Sequence, residues 1–175
     1  MPDFYQKITD MHSNVEELVR KIPGFKGYFA RQDRRAADRL LRESLVRGFG
    51  EQLDEFTRLQ RQLVDAGGLR YMEQVKAVDT RLRTFVDKIE SAAEGYAGFF
   101  GPVKIDEAAL ANVYAFDNTL FAYREQLASG LKDLDKAIGS EGIEGVLDGL
   151  EALVSELART FDRRIDVLRG LQDSV

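Results

Sequence analysis

The sequence predicts an all-α protein, an antiparallel up-down helix bundle, and three observations carry that prediction. Prolines occur only at Pro2, Pro23 and Pro102, and the runs between them are rich in Leu, Ala, Glu, Arg and Gln, which are typical of helices. Apolar residues recur at steps of three and four, which is the seam of a packed helix or coiled coil. The sustained alternation of apolar and polar residues that indicates a half-buried strand does not occur.

Five helices are expected, a short one followed by four long ones. The first covers about residues 3–21, and Pro23 ends it because proline disfavours helical geometry at the preceding residue. A connector is expected at 23–29, followed by helices at about 31–66, 69–94, 107–138 and 143–168. Gly48 and Gly50 interrupt the second helix and predict a kink or a close helix contact. The turns at 67–68 and 139–142 are short, so the helices that they join must be antiparallel. We expect a single domain over residues 1–175.

The composition excludes several kinds of functional site. The chain has no cysteine, which excludes disulfides and thiolate metal sites and fits a cytoplasmic protein. No stretch approaches the roughly 20 apolar residues that span a bilayer, and the charged N-terminal stretch does not resemble a signal peptide. His12 is the sole histidine, so neither a ferritin-like di-metal site nor a multi-histidine zinc site can be built. We expect no catalytic residue, no metal and no cofactor.

Basic residues are concentrated in one segment of an acidic chain. Between Arg20 and Arg47 there are nine basic and three acidic residues, a net charge of +6, whereas the whole chain carries −5. One interpretation is a solvated helix face that is balanced by pairs four residues apart. The other is a surface that attracts an anionic partner. Nucleic acid is not the expected partner, because the chain is acidic overall and contains no nucleic-acid-binding motif.

Charged residues stand on the predicted apolar seams. The steps of three and four place Asp79 on the third helix, Asp117 and Arg124 on the fourth, and Arg164, with Arg163 beside it, on the fifth. If the helices fold back at their turns, these residues lie at similar levels, which predicts a buried or half-buried ion-pair network near the middle of the bundle. Two roles remain open: a network that sets helix register and pairing, and a polar cavity that binds a small ion.

Two segments rich in aromatic and basic residues are expected at the same end of the bundle. They lie in residues 22–31 and 96–104 and supply a candidate contact surface formed by Phe25, Lys26, Tyr28, Phe29, Arg31, Tyr96, Phe99 and Phe100. One interpretation is that the two segments pack on each other and cover the core. The other is an exposed apolar patch with a basic rim, which favours a partner protein or an anionic membrane surface.

Three stretches resemble a family of all-helical bacterial proteins. They are K-I-P-G-F-K-G-Y at 21–28, D-R-R-A-A-D-R-L-L-R-E at 33–43 and V-D-T-R-L-R at 78–83. The resemblance covers about a third of the chain and implies a bacterial origin. It implies no activity, so no functional residue follows from it.

The expected function is binding rather than catalysis. Long amphipathic helices favour a non-enzymatic helical-bundle protein that acts as an interaction or scaffold protein, with a protein partner, and such helices also pair between identical chains in homo-oligomers. The alternative is a peripheral membrane protein that binds anionic lipid surfaces through residues 22–31 and 96–104.

Overall fold

Six α-helices make up nearly all of the described part of the chain. The computed structural model describes residues 4–30, 34–95 and 107–172, and within these ranges there is no strand. The helices are α1 (Phe4–Lys21), α2 (Phe25–Ala30), α3 (Arg34–Asp65), α4 (Met72–Gly95), α5 (Glu107–Ala137) and α6 (Ile143–Gln172). The prediction of an all-α bundle is confirmed, with one helix more than expected.

The additional helix is α2, which occupies most of the expected connector at 23–29. The amide of Gly27 donates to the carbonyl oxygen of Gly24 at 3.1 Å, and that of Phe25 donates to Ile22 at 3.2 Å. Phe25 is fully buried and meets the ring of Tyr114 edge-on, with the ring centroids 6.4 Å apart. Burial of the phenyl ring therefore holds this short segment against the bundle, although six residues are too few for a stable isolated helix.

The end of α3 is fixed by the glycine pair at 67–68. Gly67 has a φ of +81°, a conformation that side chains other than glycine adopt at a cost. Its amide donates to Val64 at 3.0 Å, and the amide of Gly68 donates to Leu63 at 2.8 Å. These two bonds form a Schellman motif, which satisfies the last carbonyl groups of the helix. A 3₁₀ turn, Leu69–Tyr71, then leads directly into α4.

The four long helices form a ring in the order α3–α4–α6–α5. Helix α3 packs on α4 and α5, and helix α6 also packs on α4 and α5. Consequently α4 and α5 occupy opposite corners, as do α3 and α6. Helices α4 and α6 run parallel, because Gln74 contacts Asp148 near their starts and Lys88 pairs with Asp162 further along both. Outside the ring, α1 packs on α5 and α2 packs on α3.

Aromatic rings fill the centre of the bundle. Phe85 on α4 lies edge-on to Phe49 on α3, with the ring centroids 4.9 Å apart, and to Phe161 on α6, with the centroids 5.8 Å apart. All three rings are buried, and edge-to-face pairs of this kind add to the stabilisation that burial supplies. Arg164 follows Phe161 by one helical turn, so the apolar centre gives way directly to a charged layer. Within the described ranges, no helix has the length and apolar character needed to cross a membrane.

Candidate functional site

A buried arginine links three helices at the charged layer. The Nε of Arg164 on α6 donates to Oδ1 of Asp117 on α5 at 2.5 Å, and its Nη2 donates to Oδ1 of Asp38 on α3 at 2.7 Å. A further, longer contact of 3.5 Å joins Nη2 to Oδ2 of Asp117. The side chains of Arg164 and Asp117 are each only 1% exposed. We call the group of Asp38, Arg42, Asp117 and Arg164 the ion cluster.

Arg42 completes the charge balance of the ion cluster. Its Nε donates to Oδ2 of Asp38 at 2.8 Å, so the two oxygens of Asp38 are held by two different arginines. Two carboxylates and two guanidinium groups leave no net charge, which is required because an unpaired buried charge costs several kcal/mol. Arg42 lies one turn after Asp38 on α3, and its side chain is 12% exposed. The ion cluster therefore extends from the centre of the bundle towards its surface.

Burial dominates the protonation of Asp117. Complete desolvation raises its pKa to about 6, and the nearby charge of Asp38 acts in the same direction, whereas Arg164 opposes both. One guanidinium group shared between two carboxylates does not offset the full loss of hydration. Burial also opposes the charged form of Arg164, but Asp117 and Asp38 together raise its pKa above the ordinary value. Arg164 stays positive, and Asp117 is the member of the cluster that can take up a proton near neutral pH.

Three buried polar atoms in the described part of the chain have no hydrogen-bond partner. They are Nη1 of Arg164, Oε1 of Gln52 and Oδ1 of Asn118. The amide nitrogen of Asn118 donates to the backbone carbonyl of Asn14 at 2.9 Å and so ties α5 to α1. The amide nitrogen of Gln52 donates to the carbonyl of Arg124 at 2.7 Å and ties α3 to α5. Polar side chains thus join helices at two levels of the bundle, one at Asp117 and Asn118 and the other at Arg124.

Asp79 lies apart from the ion cluster, between α3 and α4. Its Oδ2 accepts from Nε of Arg83 at 2.8 Å, and its Oδ1 accepts from Nε2 of Gln60 at 3.0 Å. Burial raises the pKa of Asp79, but the hydrogen bonds from Arg83 and Gln60 outweigh it and hold the pKa below its usual range. The sequence-based placement assumed that α4 and α5 are neighbours, whereas they stand at opposite corners of the ring. For that reason Asp79 faces α3.

The other two arginines of the expected network are also placed elsewhere. Arg163 is exposed, because it lies one residue away from the buried stripe that carries Arg164. Arg124 is half-buried and lies over the ring of Phe121, with its Cζ 5.0 Å from the ring centroid. Arg124 also packs against Gly48, where the expected close helix contact occurs. Of the five residues expected in one network, the structure brings together Asp117 and Arg164.

Asp38 is the member that sequence reasoning missed. Asp38 and Arg42 belong to the basic segment, for which one interpretation was a solvated face with pairs four residues apart; the pair forms, but it is largely buried. A signal was available in the sequence, because Asp38 precedes Leu41 by three residues and Leu45 by seven, which places it on the apolar stripe of α3. Both leucines are buried.

The candidate contact surface is only partly described. Phe25 is buried rather than available to a partner, since its ring packs on Tyr114, and Lys26 is exposed. Tyr28 and Phe29 belong to α2, but their side chains lie outside the described residues. The remaining members of that surface, which also lie outside the described residues, are Arg31, Tyr96, Phe99 and Phe100.

The described residues show no arrangement that could hold a metal ion. His12 is exposed on α1, and no group of three His, Asp or Glu side chains within residues 4–30, 34–95 and 107–172 is arranged to hold a metal ion. The fold and the ion cluster define an all-α bundle with a charged layer in its core. No family model, curated protein or solved structure matches the chain.

Proposed function

We propose that this chain is a non-enzymatic helical-bundle protein that binds another protein at the end of the bundle that carries the α3–α4 turn. The supporting observation is the exposure of two apolar side chains on either side of that turn. Leu69 is 66% exposed and Val64 is 42% exposed, and they are the large apolar residues with the greatest exposure in the described part of the chain. Full burial of a leucine or valine side chain stabilises a complex by about 1.5–3 kcal/mol.

The surroundings of this turn suit a docking surface. Tyr71 and Met72 are half-buried beside it, and the guanidinium of Arg70 lies 4.7 Å from the ring centroid of Tyr71. Exposed leucines that are scattered singly are ordinary, but apolar side chains grouped with an aromatic ring and an arginine are typical of the centres of protein interfaces. Because the turn is held by the Schellman motif, these side chains are presented on a rigid backbone.

The test is a comparison of captured proteins between matched variants. Val64→Lys together with Leu69→Lys should abolish partner binding in a pull-down analysed by mass spectrometry. Gln62→Lys introduces the same side chain at an exposed polar position of the same helix end and should retain every partner. If the double variant captures the same proteins as the wild type, the proposed surface is wrong. If sedimentation shows a dimer that only the double variant loses, the partner is a second copy of this chain.

The membrane alternative remains a prediction based on residues 22–31 and 96–104. Burial of Phe25 removes one of its aromatic residues from the available surface, and most of the others lie outside the described residues. Co-sedimentation with anionic and with neutral vesicles separates the two functions. Binding to anionic vesicles that weakens with salt supports the alternative. If the chain binds neither kind of vesicle, the alternative is rejected.

A further inference from the structure

Two cations lie against one buried aromatic ring at the junction of α1 and α5. The ring of Phe121 is fully buried. Nζ of Lys21, at the end of α1, lies 6.0 Å from its centroid, and Cζ of Arg124 lies 5.0 Å from it. Nζ of Lys21 and Cζ of Arg124 are therefore at most about 11 Å apart. Each makes a cation–π contact with the ring, but they repel one another across a half-buried site.

Neither cation has a carboxylate partner in the part of the chain that the structure describes. Within the described residues, no carboxylate forms a salt bridge with Lys21 or with Arg124, whereas Arg42 and Arg83 each have a carboxylate oxygen at 2.8 Å. Two acids of the basic segment, Asp38 and Glu43, are engaged elsewhere. Asp38 belongs to the ion cluster, and Glu43 is held by Arg39 at 3.3 Å.

The side chain of Arg124 lies in a notch that only glycine permits. A Cβ atom at Gly48 would stand 2.6 Å from Cδ and 2.7 Å from Nη1 of Arg124, closer than van der Waals contact allows. The hydrogen bond from Gln52 to the carbonyl of Arg124 holds the same level of α5 against α3. The hydrogen bond holds the backbone of Arg124 against α3, and the missing side chain at Gly48 leaves the space that its guanidinium group occupies.

We propose that Lys21 and Arg124 form a binding site for a phosphate group. A guanidinium group can donate two parallel hydrogen bonds to a phosphate, and an ammonium group adds a point charge. Together they match the two negative charges of a phosphate dianion and end the repulsion between the two cations. Arg124 meets α3 at Gly48, which precedes Val64 by 16 residues, or about 24 Å along the helix axis, so the site is separate from the proposed protein-binding surface.

A glycine pair on α3 provides the decisive experiment. Gly48→Ala adds the Cβ that displaces Arg124 and leaves the net charge unchanged. Gly50→Ala is the matched control, because a Cβ there meets nothing within 4 Å. Both changes replace glycine with a better helix former, so both variants should remain folded. Binding of inorganic phosphate is measured by isothermal titration at constant ionic strength, with chloride as the balancing ion.

The expected result is weaker binding in Gly48→Ala alone. The wild type and Gly50→Ala should bind phosphate with equal affinity, and Gly48→Ala should bind at least about tenfold more weakly, since charge-assisted hydrogen bonds are lost. Lys21→Gln should weaken binding similarly, and Lys132→Gln, an equal loss of charge at an exposed position of α5, should not. If the chain binds vesicles of phosphatidic acid in phosphatidylcholine but does not bind inorganic phosphate, the site is assigned to a lipid headgroup. The proposal is overturned if the wild type binds neither form of phosphate saturably, or if each variant behaves like its control.

Discussion

Replacement of Arg164 by methionine tests whether the ion cluster is held by a single guanidinium group. Within the described residues, Asp117 accepts hydrogen bonds from Arg164 alone, so the variant leaves a carboxyl group that is 1% exposed without a partner. Asp38 is affected less, because Arg42 still donates to its Oδ2 at 2.8 Å. The perturbation is therefore concentrated on one fully buried acid.

The expected loss of stability is large for a single substitution. Removal of one partner from a buried ion pair costs about 3–5 kcal/mol, because it leaves a buried charge without compensation. For a protein of this size, each kcal/mol lowers the melting temperature by about 2–4 °C. Asp117 can escape part of this cost by taking up a proton, so the deficit of the variant should shrink as the pH is lowered from 7 towards 5.

The assay is urea unfolding followed by helical circular dichroism, with a second variant as the internal comparison. Asp117→Leu combined with Arg164→Met removes both fully buried charges, and leucine has the same number and branching of side-chain heavy atoms as aspartate. Apolar replacement of a whole buried ion pair is often neutral or stabilising. We expect the double variant to be more stable than Arg164→Met by at least about 2 kcal/mol at pH 7.

Two results would refute this reasoning. A loss of less than about 1 kcal/mol in Arg164→Met would place Asp117 in an environment that hydrates or neutralises it. A double variant that is no more stable than Arg164→Met would mean that side-chain packing, rather than the unpaired charge, causes the loss.

The pH dependence of stability and the backbone of two glycines can also be tested. Burial raises the pKa of Asp117 to about 6 from an ordinary value of 3.8, so the folded state binds more protons than the unfolded state between those limits. The free energy of unfolding should therefore fall as the pH rises from about 4 to about 6, by about 3 kcal/mol in total, and Asp117→Asn should remove this decline. A pH series of urea titrations on both proteins measures it, and identical slopes would contradict it. Gly67→Ala, at a φ of +81°, should lose about 1–2 kcal/mol, whereas Gly149→Ala, inside α6 with open space at its Cβ, should gain up to about 1 kcal/mol. Gly67→Ala should melt below the wild type and Gly149→Ala above it; any other order would count against the assigned backbone conformations.

The helices could be predicted from local patterns, but their arrangement in the ring could not. Steps of three and four residues place Asp117 and Arg164 on the apolar stripes of α5 and α6, and both side chains are buried. Short turns also fix the antiparallel pairs α3–α4 and α5–α6. The segment between α4 and α5 is longer, and it permits α5 to stand beside α4 or diagonally opposite. Packing between distant side chains makes that choice, and no local spacing encodes it.

Asp38 and Asp79 show how the arrangement of the helices in the ring decides which acid joins the ion cluster. Both are acids on the inner side of a long helix, four residues before an arginine that pairs with them. Only Asp38 reaches Arg164, because α3 and α6 face each other across the diagonal of the ring, and Asp79 faces its neighbour α3 instead. Sequence spacing predicted Asp79 for the network and missed Asp38, because it could not show which acid faces Arg164.

The contact between Asp38 and Arg164 also bears on the order of folding events. It joins residues that are 126 positions apart, and closing a loop of that length is slow compared with forming the local turns of α3–α4 and α5–α6. The two hairpins can therefore form first, and the ion cluster is completed when they dock. Interactions that form after the transition state slow unfolding rather than speed folding. We therefore expect loss of the contact between the hairpins, as in Asp38→Asn, to raise the unfolding rate while leaving the refolding rate almost unchanged, so that this contact sets how long the native state lasts.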